Sequence, residues 1–303
     1  MIRFGLCCIF RKEPIKFRRT TAKYLQRFSR NQHLKYLAEI CRQNAQALQK
    51  ALRYCRDHGI KDFRINSQIL PLKTHPDMGY SMEDLPFHNK IIQTFKDCGR
   101  FCRKHDIRTT FHPDQFILLS SPSNEVIQRS IADLVYQTEV ARWVNADVIN
   151  IHGGGAYGNK SASLRYLRER IEHLPQAVRS RLTLENDDRV YTPKDLLPVC
   201  RDMDIPLVYD VHHHRCLPDG RSVEATTELA LGTWNREPLF HLSSPKNGWK
   251  SGNPRNHDDY INPTDFPDCW RQLNITVEIE AKAKELAVLK LKQDLIDRDI
   301  ITK

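Results

Sequence analysis

"DVINIHGGGAYGNK", residues 147–160, begins as a strand and ends as something else. Val148, Ile149 and Ile151 form a short apolar run, His152 closes it, and Gly153, Gly154 and Gly155 follow at once. Glycine where a chain leaves a strand marks a tight turn or a close approach of backbone to a ligand. A histidine at that point is a metal ligand, a base, or an ordinary polar strand end. The rest of the chain decides which, by whether it repeats the pattern.

Seven further runs do. They are "IRFGLC" (2–7), "DFRINSQI" (62–69), "IRTTFH" (107–112), "RLTLEN" (181–186), "PLVYDVH" (206–212), "LFHLSS" (239–244) and "ITVEIEA" (275–281). Between them lie segments of helical period. Residues 32–60 place Leu34, Leu37, Ile40 and Cys41 at 3.6-type spacing and stop at Gly59. Residues 121–146 open on capping residues and carry Ile127, Ile131, Leu134 and Val135, and residues 280–299 form a charged amphipathic helix. Strand and helix in alternation predict parallel strands joined by crossover helices, and eight strands favour a (β/α)₈ TIM barrel over a doubly wound sheet. Such a barrel takes about 250 residues as one domain. The 303 residues, with no linker, repeat or low-complexity tract, read as a single domain over 1–303.

The composition narrows the function. There are 47 Lys+Arg against 37 Asp+Glu, a net charge of +10 and a pI near 9.2, a balance that suits an anionic partner, nucleic acid first. No apolar run approaches the roughly 20 residues that span a bilayer. The start, "MIRFGLCCIFRKEP", lacks the apolar core and cleavage site of a secretion signal. Nine cysteines without paired CxxC motifs argue against a zinc ribbon, and their odd number argues against a disulfide framework. The expectation is a cytoplasmic, monomeric enzyme with no membrane partner.

In a barrel the chemistry sits where strands end and loops begin. There the sequence places His112, His152, Glu185, Asp210, His213, His241 and Glu280, with His75 after the second strand and His257 after the seventh. Any one of these alone reads better as a satisfied polar residue. Together they would crowd carboxylates and imidazoles into an apolar mouth without compensation unless they are paired or metal-bound. Ligation by His, Asp and Glu without thiolates suits Mn²⁺, Zn²⁺ or Fe²⁺. The set exceeds one ion's needs, so two or three ions are expected, with Glu185 as the bridge. Closely spaced metals suit phosphodiester hydrolysis.

The ordered set "HPDQF" (112–116), "INIHGGGAYGNK" (149–160), "LTLENDD" (182–188), "YDVHHH" (209–214), "HLSSPK" (241–246) and "IEAKAKE" (279–285) resembles the UV damage endonuclease family over most of the chain. The resemblance implies a TIM barrel related to endonuclease IV. It also implies a manganese-dependent enzyme that nicks double-stranded DNA 5′ to a photoproduct and leaves a 3′-hydroxyl. Carried over by position, His112, His152, Glu185, Asp210, His213, His241, His257 and Glu280 would be the metal ligands. His75 would sit close to the cluster or the scissile phosphate. Gln115 and Phe116 match a Gln–Tyr pair that the family inserts into the duplex, with Phe keeping the stacking surface.

Two positions depart from the family pattern. Leu6 stands where a tyrosine is common, and Leu239 stands where some members carry a carboxylated lysine. In this reading Gly153 and Gly154 let the backbone approach a phosphate and Lys160 holds the DNA backbone. Lys246 stabilises phosphate charge, and the basic residues of 11–30 join Lys250 and Arg255 along the DNA groove. Two other classes compete: a metal-dependent sugar isomerase or epimerase on the same barrel, and a damage-binding protein with a degenerate site.

Overall fold

Eight short strands pair in parallel, each with the next, and the last returns to the first. They are β1 (Ile2–Cys7), β2 (Asp62–Ile65), β3 (Arg108–Phe111), β4 (Val148–His152), β5 (Leu182–Glu185), β6 (Leu207–Asp210), β7 (Leu239–Leu242) and β8 (Ile275–Ile279). The computed structural model describes residues 1–113 and 116–301. The predicted TIM barrel is the observed fold. Its helices are α1 (Ala22–Leu25), α2 (Arg30–Asp57), α3 (His88–His105), α4 (Asn124–Val144), α5 (Lys160–Glu172), α6 (Gln176–Arg179), α7 (Pro193–Met203), α8 (Val211–Cys216), α9 (Val223–Leu231) and α10 (Glu285–Asp297).

The strands begin within one residue of where the sequence pattern puts them and mostly stop sooner. Residues 62–69 were expected as one strand, but β2 ends at Ile65, where the Asn66 side chain accepts the Gln68 amide and turns the chain. Residues 206–212 likewise break at Asp210, whose carboxylate accepts the His213 amide at 2.7 Å and caps α8. In both places a polar side chain competes for backbone groups that a longer strand would have paired.

Apolar residues fill two compartments. Between strands and helices lie Phe63, Phe95, Phe111, Phe240 and Trp270, all fully buried; each such side chain contributes roughly 1.5–3 kcal/mol. A smaller cluster of Val148, Val208 and Leu239 plugs the barrel interior, with Trp234 against it. Leu6 is wholly buried in the larger core. Further along the interior the lining turns polar. Thr183 donates to Asn150 at 2.9 Å, and Asn150 donates to Glu185 at 2.5 Å.

The basic loop after β1 is tied down by Glu285, the first residue of α10. Its buried carboxylate accepts the backbone amides of Arg11 and Lys12, each at 2.7 Å. Among the described residues no helix is long and apolar enough to cross a membrane. All nine cysteines are free.

Candidate metal centre

The strand ends converge on Glu185. This residue closes β5 and is wholly buried, and its two oxygens face different partners. Oε2 lies 2.9 Å from His112 Nε2 and 4.0 Å from His152 Nε2. Oε1 lies 3.0 Å from His241 Nδ1 and 3.4 Å from His213 Nδ1. Asp210 Oδ2 approaches His213 Nδ1 at 3.4 Å. Glu280 continues the arc, with Oε1 at 3.5 Å from His241 and Oε2 at 3.8 Å from His257.

Three sets of side chains bring ligand atoms within 4.8 Å of one another: His112, His152 and Glu185; His112, His241 and Glu280; and Glu185, Asp210 and His213. These include seven of the eight ligands expected from the sequence. His257 stands at the edge, its Nδ1 3.3 Å from Ser243 Oγ.

The electrostatics describe a cluster short of positive charge. Burial works to raise the Glu185 pKa, but His241, His152 and His112 overcome it and hold the carboxylate well below its usual range. Burial works against a proton on His241, yet Glu185 and Glu278 draw its pKa up to about 10. His152 goes the other way: burial lowers it, with Glu185 offsetting only part. The buried Nδ1 atoms of His112 and His152 and the Oδ2 of Asp210 have no hydrogen-bond partner among the described residues. Orphaned polar atoms in a closed, oxygen- and imidazole-lined mouth fit a set of divalent ions.

The remaining expected site residues fall elsewhere around the mouth. Phe116, in the loop after β3, is 73% exposed. Gln115, its expected wedge partner, lies outside the described residues. His75 shares a surface cavity with Phe116, and its Nδ1 accepts the Asp77 amide at 3.1 Å; it belongs to none of the three ligand sets. Lys246 is exposed at the base of the loop after β7, its amide bonded to the Asn256 carbonyl at 2.7 Å. Lys160 opens α5 and pairs with Asp195 at 2.6 Å.

The glycines after His152 have a reason within the protein. A Cβ on Gly153 would stand 2.7 Å from the Tyr191 ring, and Gly154, with φ of +87°, would drive one into Ser120. The Tyr191 hydroxyl in turn donates to the Gly155 carbonyl at 3.0 Å. Close packing under the loop therefore requires these glycines whether or not a phosphate approaches.

Sequence reasoning passed over Arg64, Glu278 and His212. Arg64 on β2 is 6% exposed and points into the cluster, where it meets Glu278, Glu280 and His241. His212 is buried beside His257 and Trp249. A cavity of about 460 Å³ opens beside Glu280 and His257, its rim carrying Arg19, Arg255, Lys282 and Lys284.

The family described as UV-endonuclease UvdE matches residues 2–303. The chain belongs to that family. A UV DNA damage endonuclease from Bacillus velezensis is 35% identical over 97% of this chain and 94% of its own length. Another, from Halalkalibacterium halodurans, is 32% identical over 89% of this chain and 85% of its own. Among solved structures, SacUVDE superposes with a TM-score of 0.87 at 27% identity, covering 99% of this chain and 100% of that one. Endonuclease IV from Thermus thermophilus, at TM-score 0.61 and 13% identity over 98% of both chains, shares the fold. This UvdE-family protein is an endodeoxyribonuclease of DNA repair that acts on UV-damaged DNA. Membership removes the ground for the sugar isomerase alternative.

Proposed function

We propose that this family member is a divalent-metal-dependent endonuclease that cuts double-stranded DNA on the 5′ side of a UV photoproduct and leaves a 3′-hydroxyl. The observation that carries the metal dependence is Glu185, whose two oxygens each face a separate pair of imidazoles, the arrangement of a carboxylate shared between ions. Mn²⁺ is the ion this reading proposes, two or three per chain, with Zn²⁺ the competitor; a histidine and carboxylate donor set suits either. Ions held there would activate water and offset charge on the phosphate during in-line displacement.

The chain's own residues supply the rest. His112, His152, His213, His241, His257, Asp210 and Glu280 hold the ions around Glu185. Gly153 and Gly154 present backbone beside His152, and Lys246 faces the phosphate from the exposed loop after β7. Phe116, with Gln115, wedges into the duplex, and His75 contacts the DNA next to it; Lys160 anchors the backbone further out. A damaged base pair is less well stacked and costs less to open, so extrusion favours lesions. Abasic sites fall within the same logic. The whole chain works as one catalytic domain, a monomer in the cytoplasm, where its nine free thiols stay reduced.

Supercoiled plasmid, UV-irradiated or untreated, is the test substrate, with Mn²⁺ or EDTA and beside a His152→Ala variant. Nicking confined to irradiated plasmid with Mn²⁺, and absent from the variant, is the expected result. Equal nicking in EDTA would remove the metal from the reading, and equal nicking of untreated plasmid would remove the lesion.

A further inference from the structure

Beside the cluster lies a carboxylate that belongs to none of the three ligand sets. Glu278, two residues before Glu280 on β8, is 1% exposed. Its Oε1 accepts from the Thr110 hydroxyl. Its Oε2 accepts from Arg64 Nε at 2.5 Å and lies 3.0 Å from His241 Nε2. Arg64 also donates from Nη1 to Glu280 Oε1 at 2.6 Å, and its Nη2 stands 2.9 Å from His241 Nε2. The two ring nitrogens of His241 therefore look in opposite directions. Nδ1 faces Glu185 and Glu280, at 3.0 and 3.5 Å. Nε2 faces Glu278 and Arg64.

We infer that Glu278 is a positioning residue of the metal centre: it accepts the Nε2 proton of His241 and so leaves Nδ1 aimed at Glu185 and Glu280 as the nitrogen that takes an ion. The inference rests on reading the cluster as a metal centre. A neutral imidazole offers one lone pair, and the nitrogen that offers it is set by where the other nitrogen's proton is bonded. On the Nε2 side a guanidinium fills the space, which closes that nitrogen to a cation. Glu278 is the acceptor on that side, and the strand register delivers it, since His241 of β7 pairs with Glu278 of β8. Leu239, the other inward neighbour on β7, is committed to the apolar plug.

Arg64 completes the device. A buried carboxylate needs a partner to stay ionised, and Arg64 pairs with Glu278 while holding the ligand Glu280 with its other arm. Positioning residue and ligand are thus locked to one another through a single side chain. Gly5 makes the room: a Cβ there would strike Asp62 and stand 3.0 Å from Glu278 Cγ.

The test compares wild type, Glu278→Gln and Glu278→Met. Each metal-free protein is titrated with Mn²⁺ while free Mn²⁺ is followed by electron paramagnetic resonance, and the visible spectrum of the Co²⁺ form and the metal-free melting temperature are recorded. Glu278→Met is expected to weaken at least one Mn²⁺ site by about 10–100-fold, the usual loss when a supporting carboxylate is removed, and to shift the Co²⁺ bands. Glu278→Gln, which keeps an oxygen acceptor for the Nε2 proton, recovers part of that affinity. A merely structural role would lower the metal-free melting temperature but leave Mn²⁺ affinity and Co²⁺ bands as in wild type, and that result overturns the inference alone. Wild type that binds no Mn²⁺ overturns it together with the metal centre. Should the Met variant not fold, the Gln variant decides by the same two readouts: weaker Mn²⁺ binding with shifted bands supports the inference, and wild-type values overturn it.

Discussion

Glu185 is the residue on which the centre turns, because four histidines approach its two oxygens. Glu185→Gln keeps the shape and removes the charge, so bound Mn²⁺, measured by equilibrium dialysis, should fall together with plasmid nicking. In the metal-free protein the same contacts set a pH dependence. His241 is raised to about 10 and His213 also well above its usual value, the latter against burial and because of Asp210 and Glu185. A group whose folded-state pKa is raised contributes stability that is complete below the unfolded pKa of about 6.5 and is lost as pH climbs through the folded value. The melting temperature of EDTA-treated protein should therefore fall between pH 6.5 and pH 10, and an unchanged temperature across that window would contradict the coupling. Gly153 is a different kind of residue, fixed by packing. Gly153→Ala forces the Tyr191 ring to move; the expected cost is about 1–3 kcal/mol, read as a lower denaturation midpoint with the metal-to-protein ratio retained.

Strands carried most of what was legible, and their ends carried the rest. The start of β1 and the existence of all eight strands followed from apolar runs between turn residues, and asking what stands where those runs finish picked out seven of the side chains that cluster at the mouth. What the sequence hid has one cause. Strands covered on both sides show no polar–apolar alternation, so Arg64 in "DFRI" and Glu278 in "ITVEI" could not be assigned inward or outward from pattern alone. The barrel's register decides that, and register is a property of pairs of strands. Loops were legible only as loops. In the loop after β3, Phe116 is 73% exposed. Phe116→Ala should leave the melting temperature unchanged, since the ring packs against little. If the ring stacks in the opened duplex, affinity for an irradiated oligonucleotide should fall by about 1–3 kcal/mol, roughly 5–150-fold, in a fluorescence anisotropy titration. Equal affinity would place the wedge elsewhere.

The barrel as a whole sets the histidine–carboxylate cluster in the mouth of a basic molecule, and the two properties would act at different ranges. On the proposed reading the cluster would work over a few ångströms on whichever phosphate reaches it. The net charge of +10 acts over the Debye length, about 8 Å at physiological salt, and does not distinguish damaged from intact duplex. Lesion choice must then come from opening the duplex, and overall affinity from phosphate contacts. These two contributions separate experimentally through salt. Each phosphate contact releases counterions, so log K falls with log salt at a slope of about −0.9 per contact. Lys246 and Lys250 are both exposed in the loop after β7. Arg255, by contrast, is already held by Asp188 at 3.4 Å. Removing either lysine by Lys246→Ala or Lys250→Ala should make the slope shallower by about 1, and by the same amount on irradiated and untreated duplex. Phe116→Ala should leave the slope alone and reduce only the preference for irradiated DNA. A lysine variant that lost lesion preference without changing the slope would move that side chain from the phosphate backbone to the damage itself.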